Sequence, residues 1–595
     1  MSKFAYVANR YIIPARAKSG DGPRLAFDVE ADGLLDNATK IHCVVIGDLD
    51  SNTVSEYEPD QIDAALEHLR RAVYLVGHNI ADYDLPLLRR LHDWAPAPGC
   101  VVVDTLIAAR LILPNLAELD AQAARMGGSK LGKLHGRHSI EAWGTRLGIA
   151  KAGADISDWS IWTSQMQERC VSDVAIVKAL WRLLRPDGYS RQALDLEHRV
   201  VPICNEITTA GIAFDRVAAE RLRDRWATRR AELAPELRRQ LPITNLNSRP
   251  QIGALLESRG WIPERRTKKT GRPKIDAELL ESISAAYPEF TGLGEYFILN
   301  GRLAQLATGD KAWLKYIADD GRIHGRIVHI GTPHSRAAHF EPNLAQVPNP
   351  KRGKPFAHEC RALFEAGNGY VLVTCDQSSL QDRAFAHYLA EFDGGAYVDA
   401  IVSGIDRHWK SSLMLGLAET ERDESNKLHA IIREGAKSFY YGFLFGMREP
   451  RAGHIIYDTV RTAQRIDPAC DLLNKLFGDA ARPSEAALKR VGKNKLNAFI
   501  DGTPGLRRLR ENLETQARRG WLPGLDGRRV PVKALYTALN YAVTSAEAII
   551  CKRWLTQVYD ELHERFDDAA VVLWAHDELV CRCRPEIADQ VGEIM

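Results

Sequence analysis

Three sets of residues in this 595-residue chain have the types and spacings that phosphate chemistry uses. The first is Arg433-Glu-Gly-Ala-Lys437-Ser-Phe-Tyr-Tyr441-Gly442, in which Arg433, Lys437 and Tyr441 stand four residues apart. At helical period this puts two fixed cations and an aromatic ring along one face. A triphosphate suits the cations and a base or sugar suits the ring, with Gly442 letting a large partner approach. A solvated face whose tyrosine belongs to the core has the same spacing. The second set is Asp376 and Asp577, each placed where an apolar run stops. Paired across a sheet, they suit two Mg2+ ions, one activating a hydroxyl and the other neutralising a leaving pyrophosphate. A turn aspartate also arises for purely local reasons. The third set is Asp28, Glu30, Asp84 and Asp173. Four carboxylates on four elements suit two divalent ions about 4 Å apart, one activating a water and one steadying the leaving oxygen.

The elements that must position these groups follow from the apolar pattern. Leu25-Ala-Phe-Asp28-Val-Glu30 reads as a strand, and its two acids share a face because side chains alternate. Like charges so close are unfavourable unless a cation lies between them. A strand end running into the Asp32-Gly33 turn explains the same residues without a cation. A second strand, Val73–Gly77, leads through His78-Asn79 to Asp82-Tyr-Asp84-Leu-Pro86, which opens a helix. Val101-Val-Val-Asp104 is a further strand, and Asp173 falls in the apolar-periodic helix Val171–Leu184. His78 and His138 read as structural. Residues 1–23 read as a loose leader or a short first strand.

From Leu194 to Leu241 the pattern is a long charged amphipathic helix, broken near Ala210-Gly211. Arg221, Arg223, Arg229, Arg230, Arg238 and Arg239 give it a basic edge able to neutralise backbone phosphates, or a solvated face. The stretch Arg265–Lys274 is a basic loop of the same ambiguity. Ile323-His-Gly-Arg326 begins a β-rich region, and Tyr370–Cys375 gives a strong buried-strand signal with Asp376 at its exit. Val571–Ala575 and Leu579–Cys583 flank His576-Asp577-Glu578 as a hairpin with an acidic turn.

Composition narrows the class. The chain is 45% hydrophobic and 26% charged, as in ordinary globular proteins, and is long enough for several domains. A net charge of +2 means any nucleic-acid track is local. The ten cysteines include no C-x-x-C pair, which argues against a zinc site or a disulfide framework. No signal peptide and no membrane-length apolar run is visible, so a cytoplasmic protein is expected.

Taken together, Asp376-Gln-Ser-Ser-Leu, Arg433-x3-Lys437-x3-Tyr441-Gly442 and His576-Asp577-Glu578 resemble the three polymerase motifs of family A (Pol I-like) DNA polymerases, which include the replicative enzymes of short-tailed lytic phages. The resemblance runs from about Leu25 to the C-terminus. It implies an α+β multidomain right hand of palm, fingers and thumb, preceded by a ribonuclease H-like α/β 3′→5′ exonuclease domain. The implied boundaries are 1–190 for the exonuclease, 191–310 for the thumb, 311–388 and 540–595 for the palm, and 389–539 for the fingers.

The resemblance also implies roles. Asp28, Glu30, Asp84 and Asp173 match the proofreading quartet, with two Mg2+ ions there and two at the polymerase site, Mn2+ substituting. Asp376, Gln377 and Asp577 would hold the polymerase ions. Arg433, Lys437, Tyr441, His408 and Gln381 would contact the incoming nucleotide. Arg336, Gln346, Asn540, His576 and Gly442 would contact DNA. A Tyr at 441 goes with ready acceptance of dideoxynucleotides. Primer-template DNA and dNTPs would be partners, with a helicase-primase and a single-strand binding protein as further ones. No thioredoxin-recruiting insertion is visible near Leu241–Ser248.

Several positions depart from the family pattern. Arg169 stands where a water-orienting tyrosine precedes the last exonuclease acid, and is expected to pair with Asp173 and weaken excision. Gln381 and Phe445 replace a Glu–Tyr pair that excludes the ribose 2′-hydroxyl, so ribonucleotide discrimination is expected to fall. Thr544 replaces a minor-groove glutamine. The chain stops at Gly592-Glu-Ile-Met595, inside a helix where the family continues, which reads as a truncated C-terminus. Two rival readings remain: a single-subunit RNA polymerase, which lacks such a quartet, and a DNA-binding protein with an idle polymerase half.

Overall fold

The computed structural model describes residues 2–8, 22–153, 156–263, 266–267, 270–350, 354–478 and 483–595. Most of the leader, and Arg265, Lys268 and Lys269 of the basic loop, lie outside the described residues. The described start of the chain is a helix, Lys3–Ala8, rather than a strand. Phe4 accounts for this: it is buried, with its ring edge-on to Trp143 at 5.6 Å.

The chain forms two compact units, one of residues 1–202, 329–338 and 377–556, the other of 203–328, 339–376 and 557–595. The first unit opens with a five-stranded mixed sheet. Its strands are β1 Arg24–Ala31, β2 Ile41–Asp48, β3 Val54–Tyr57, β4 Tyr74–Gly77 and β5 Val101–Asp104, in the order β3-β2-β1-β4-β5. Pairings with β4 are parallel and the others antiparallel. Alternation sends Leu25, Phe27 and Val29 into one apolar layer, with Leu87 and Leu88 of helix α1 (Asp84–His92). Ala26, Val45 and Val76 enter the opposite layer, with Cys170, Val174 and Val177 of helix α2 (Ser164–Leu184). Asp28 and Glu30 share the parity of Ala26 and so face α2.

The same unit holds a helical cluster. Its members include α3 (Leu380–Asp393), α4 (Arg407–Met414) and α5 (Lys427–Leu444), packed around Phe385, Phe439, Phe443 and Phe499. Two further helices, Glu449–Ile466 and Glu485–Gly502, meet backbone to backbone at Gly453 and Gly492. A Cβ on either glycine would lie about 2 Å from a carbonyl oxygen of the other helix, 2.0 Å from Leu488 O and 1.9 Å from Glu449 O.

A buried ionic network ties distant parts of this unit together. Glu197 accepts from Arg528 Nη1 at 2.6 Å, from Lys552 Nζ at 2.6 and 2.8 Å, and meets His329 Nδ1 at 2.7 Å. Arg528 also donates to Asp526 at 2.6 Å, and all four charged side chains are closed to water. Burial pushes the Glu197 carboxyl up, but Lys552 and Arg528 pull it further down, so the net shift is downward. Burial lowers His329 to about 4.

In the second unit, β6 (Val371–Asp376), β7 (Ala570–Ala575) and β8 (Glu578–Cys583) form an antiparallel sheet in the order β6-β8-β7. The expectation of a buried strand before Asp376 is corrected here: every residue of β6 is at least partly exposed, because β6 lies on the sheet's edge. The Arg-rich region is helix Arg191–Ala210, a short strand Ile212–Phe214 and helix Arg216–Gln240. Much of its basic edge is engaged internally, with Arg229 on Glu295 at 2.8 Å, Arg223 on Asp224 at 2.8 Å and Arg230 on Asn300 at 3.0 Å. No helix among the described residues is long and apolar enough to cross a membrane.

Candidate active sites

The register of the first sheet builds an acidic cluster. β1 pairs with β4 only through Ala26 and then runs on past it, leaving later amides without a strand partner on that side. Asp84, first residue of α1, fills the gap by accepting from Val29 N at 3.2 Å. Across β1, α2 delivers Asp173, and carboxylate oxygens of Asp28, Glu30 and Asp173 lie within 4.8 Å of one another. Desolvation, then the charges of Glu30, Asp84 and Asp173, pushes the Asp28 carboxyl well up. Desolvation likewise raises Glu30 and Asp173, and takes Asp84 up to about 8.

Two cations meet this cluster. Arg169 pairs with Glu30, Nε to Oε1 at 2.9 Å, and not with Asp173 as its spacing suggested. Arg169 also donates to Gly153 O at 3.3 Å and stacks its guanidinium 5.3 Å from the Trp159 ring. Asp173 is taken instead by Lys151, at 2.5 Å. Lys151 escaped the sequence reading because it sits in a loop with no period. His78 bridges Thr105 Oγ1 and His138 O, both at 2.9 Å, and burial lowers His78 to about 4.

The second acidic site is set by a hairpin. Ala575 pairs with Glu578, so His576 and Asp577 form a two-residue loop, with His576 at φ 62°. Glu578 is also the register partner of Asp376. Asp376 and Asp577 therefore occupy adjacent positions at one end of the sheet, where paired Cα atoms stand roughly 4.5–5.5 Å apart. Asp376 is exposed and Asp577 half-buried. Arg361, unnoticed in the sequence, holds Glu578 through two bonds of 2.9 and 3.2 Å. In the same unit Gln346 ends a 3-10 turn and is exposed, and the His576 ring packs edge-on against His339 at 6.1 Å.

The cationic face lies on α5. Arg433, Lys437 and Tyr441 are all half-buried on it, while the adjacent Tyr440 enters the core. Asp406, the N-cap of α4, receives Arg433 Nε at 2.6 Å and Arg422 Nη1 at 2.9 Å. Lys437 has an exposed pair with Glu434 at 3.6 Å, a contact worth little. His408 lies between α4 and α5, its ring 5.6 Å from Tyr440 and 5.7 Å from Tyr441. A Cβ at Gly442 would meet Met447 Sδ at 2.7 Å and Ile455 at 3.4 Å, so the glycine makes room for the chain's own side chains.

Gln381 is half-buried in the first turn of α3, and Phe445, just past α5, is 50% exposed. An acid–tyrosine contact does exist nearby, between the residue after Gln381 and a tyrosine five residues before Phe445. Asp382 accepts from the Tyr440 hydroxyl and from Tyr397 at 3.0 Å, and is ion-paired with Arg407. Asp382 was missed although a carboxylate on the apolar face of α3 marks it. Arg336 is ion-paired with the buried Glu547, which shares a face of helix α6 (Ala538–Arg565) with Asn540 and Thr544. Asn540 donates to Thr544 at 3.4 Å.

The chain resembles known proteins in sequence and in fold. Residues 216–595 match the profile described as DNA polymerase family A. The DNA-directed DNA polymerase of Escherichia phage T7 is 30% identical over 717 residues, covering 95% of this chain and 95% of its own. That of Enterobacteria phage T3 is 30% identical over 721 residues, covering 96% and 95%. A solved structure, described as the POL domain of Pol1 from M. smegmatis in complex with DNA primer-template and dNTP, superposes with a TM-score of 0.68. It shares 19% identity and covers 99% of this chain and 93% of that one. The chain belongs to DNA polymerase family A. It is a template-directed DNA polymerase.

Proposed function

We propose that the chain extends a DNA primer with deoxynucleotides through Asp376 and Asp577 and removes misplaced 3′ ends through Asp28, Glu30, Asp84 and Asp173. The observation that carries the first half is the strand register setting Asp376 beside the His576-Asp577 turn. Two Mg2+ ions held there, with Gln377 as a further ligand, would lower the pKa of the primer 3′-hydroxyl and neutralise the departing pyrophosphate. Arg433 and Lys437 bind the triphosphate, the guanidinium as a fork and the ammonium as a point charge. Asp406 holds Arg433 extended before a nucleotide arrives, and Tyr441 lies against the sugar with His408 behind it. Arg336, Gln346, Asn540 and His576 contact primer-template DNA.

The convergence of Asp28, Glu30 and Asp173, with Asp173 Oδ1 buried and accepting no hydrogen bond, supports the second half. Such a set fits a divalent ion, which would supply charge to an attacking water and to the leaving 3′-oxygen. Asp84, fixed on the Val29 amide, keeps the fourth acid beside β1. In this reading residues 1–190 are a ribonuclease H-like exonuclease, 191–310 the thumb, 311–388 and 540–595 the palm and 389–539 the fingers. The protein works in the host cytoplasm with primer-template DNA and dNTPs, and with a helicase-primase and a single-strand binding protein.

The test is one gapped DNA with a labelled primer, incubated with Mg2+ with and without the next correct dNTP. Lengthening with the nucleotide and shortening without it are expected. A primer of unchanged length in both tubes defeats the proposal in favour of a DNA-binding protein; lengthening by NTPs in preference to dNTPs favours an RNA polymerase.

A further inference from the structure

One cation beside α5 stands outside the face already described. Between α4 and α5 the chain runs through Ala418-Glu-Thr-Glu-Arg422-Asp-Glu-Ser-Asn426, where Arg422, alone among four acids, is the residue suited to an anion. The loop is pinned on both sides of it. Trp409 of α4, itself buried, donates through Nε1 to Thr420 O at 3.2 Å, and the Asp423 amide donates to His429 Nδ1 of α5 at 3.0 Å. The Trp409 and His429 rings pack together at 4.7 Å, so one contact between α4 and α5 sets both attachments. Asn426 then caps α5 by accepting from Leu428 N at 2.8 Å. Arg422 is therefore delivered by the fold to one place, beside Asp406.

Arg433 is already there. A single oxygen, Asp406 Oδ2, accepts from Arg433 Nε at 2.6 Å and from Arg422 Nη1 at 2.9 Å. Asp406 is not free to follow either cation, because its Oδ1 accepts from Trp409 N at 3.1 Å as the N-cap of α4. Two guanidiniums on one carboxylate leave positive charge in excess, and neither is fully engaged. Arg433 donates through Nε alone among the described residues. The other partner of Arg422, Glu424, is 82% exposed and holds it weakly. Like charges gathered this way and left partly in water suit an anion with several oxygens. Along α5, Tyr441, Lys437 and Arg433 follow one another toward the N-terminus. A nucleotide with its sugar at Tyr441 extends its phosphates past Lys437 to Arg433, and Arg422 stands at that end of the line.

We propose that Arg422 binds the terminal phosphate of the incoming deoxynucleoside triphosphate alongside Arg433, with Asp406 as the shared carboxylate that holds both guanidiniums in place. This rests on the reading of α5 as the triphosphate face. The two arginines then sense the length of the phosphate chain: a triphosphate reaches both, whereas a diphosphate ends short of them and is left to Lys437. Neither bond to Asp406 has to break, since each guanidinium carries five N–H groups.

The test measures binding of dTTP and of dTDP, with Mg2+, to the full-length chain on a labelled primer-template whose next template base is adenine. The primer ends in a dideoxynucleotide, which stops extension, and every protein carries Asp28→Asn to stop excision. The nucleotide concentration that half-stabilises the complex on a native gel is read for each, and melting temperatures show that each variant is folded. The parent is expected to bind dTTP more tightly than dTDP. Arg422→Met should weaken dTTP by at least about 10-fold, the strength of one charge-assisted hydrogen bond, and leave dTDP unchanged. Arg422→Lys, which keeps the charge and loses the fork, should fall between. Equal weakening of dTTP and dTDP, as a disordered loop would give, or no change in dTTP, would overturn the inference, as would a parent that binds the two alike. Binding of dTTP that is indifferent to Arg433→Met would overturn it together with the reading of α5, which separates the two failures.

Discussion

The two acidic sites are built in opposite ways. Asp28, Glu30 and Asp173 sit between a central strand and a long helix, the first two partly buried and the third buried, with protein cations already on two of them. Asp376 stands exposed on an edge strand, and its neighbour Asp577 is offered by a two-residue turn. In the first, acids are crowded until neutral forms become favourable; in the second, backbone register alone sets the spacing. A crowded cluster needs countercharge merely to stay ionised, so it carries Lys151 and Arg169. The second pair, Asp376 exposed and Asp577 half-buried, is organised around Glu578, held by Arg361. The contrast sets an acidic cluster tuned by its cations against an acidic pair set by its turn.

The sharpest break of this comparison is Asp28→Asn. Excision of a mismatched 3′ end should fall by about 1,000-fold, roughly 4 kcal/mol of transition-state stabilisation, while extension of a matched primer stays unchanged. Single-turnover rates on the two DNAs check it.

A smaller effect is expected on stability. Glu197→Gln leaves Arg528 and Lys552 buried with their shared carboxylate gone, and should cost the first unit about 3 kcal/mol. Denaturant melts followed by tryptophan fluorescence read this directly. Smaller again is a pH dependence of the same network. His329 is neutral when folded, at about 4, whereas an unfolded histidine takes up its proton near ~6.5. The unfolded chain thus binds more protons between these values, so stability is full above the window and is lost as pH falls through it. Glu197, shifted down, acts in the same direction below its unfolded value near ~4.3. Lowering pH from 7 to 5 should cost on the order of 1–2 kcal/mol, and His329→Gln should flatten that slope in thermal melts.

The smallest effect concerns the nucleotide. If the Tyr441 hydroxyl replaces a missing 3′-hydroxyl, Tyr441→Phe should reduce dideoxynucleotide incorporation by about 10-fold, one hydrogen bond's worth, with dNTP incorporation little changed. The ratio of terminated to extended products measures it.

Much of this was legible in the residues. Period-2 alternation located β1 and fixed Asp28 and Glu30 on one face, and period-3.6 spacing put Arg433, Lys437 and Tyr441 along α5. The hairpin around Asp577 followed from two apolar runs and a short polar break. What escaped depends on tertiary contact. Lys151 and Arg361 lie in segments whose partners are far along the chain, and no periodicity links them to Asp173 or Glu578. The Glu197 network draws on residues 197, 329, 526, 528 and 552. At Gly442 spacing does not show the internal neighbour, Met447, for which a missing side chain also makes room. Arg169 was assigned to Asp173 because one helical turn separates them, but the guanidinium reaches across to β1.

The measurement that tests the account most directly is extension and excision by Asp577→Asn, scored together on one gapped primer-template. The account predicts extension lowered by about 1,000-fold with excision at the parent rate. Extension within a few-fold of the parent protein would contradict it, since the turn between the last two strands would then carry no part of nucleotidyl transfer.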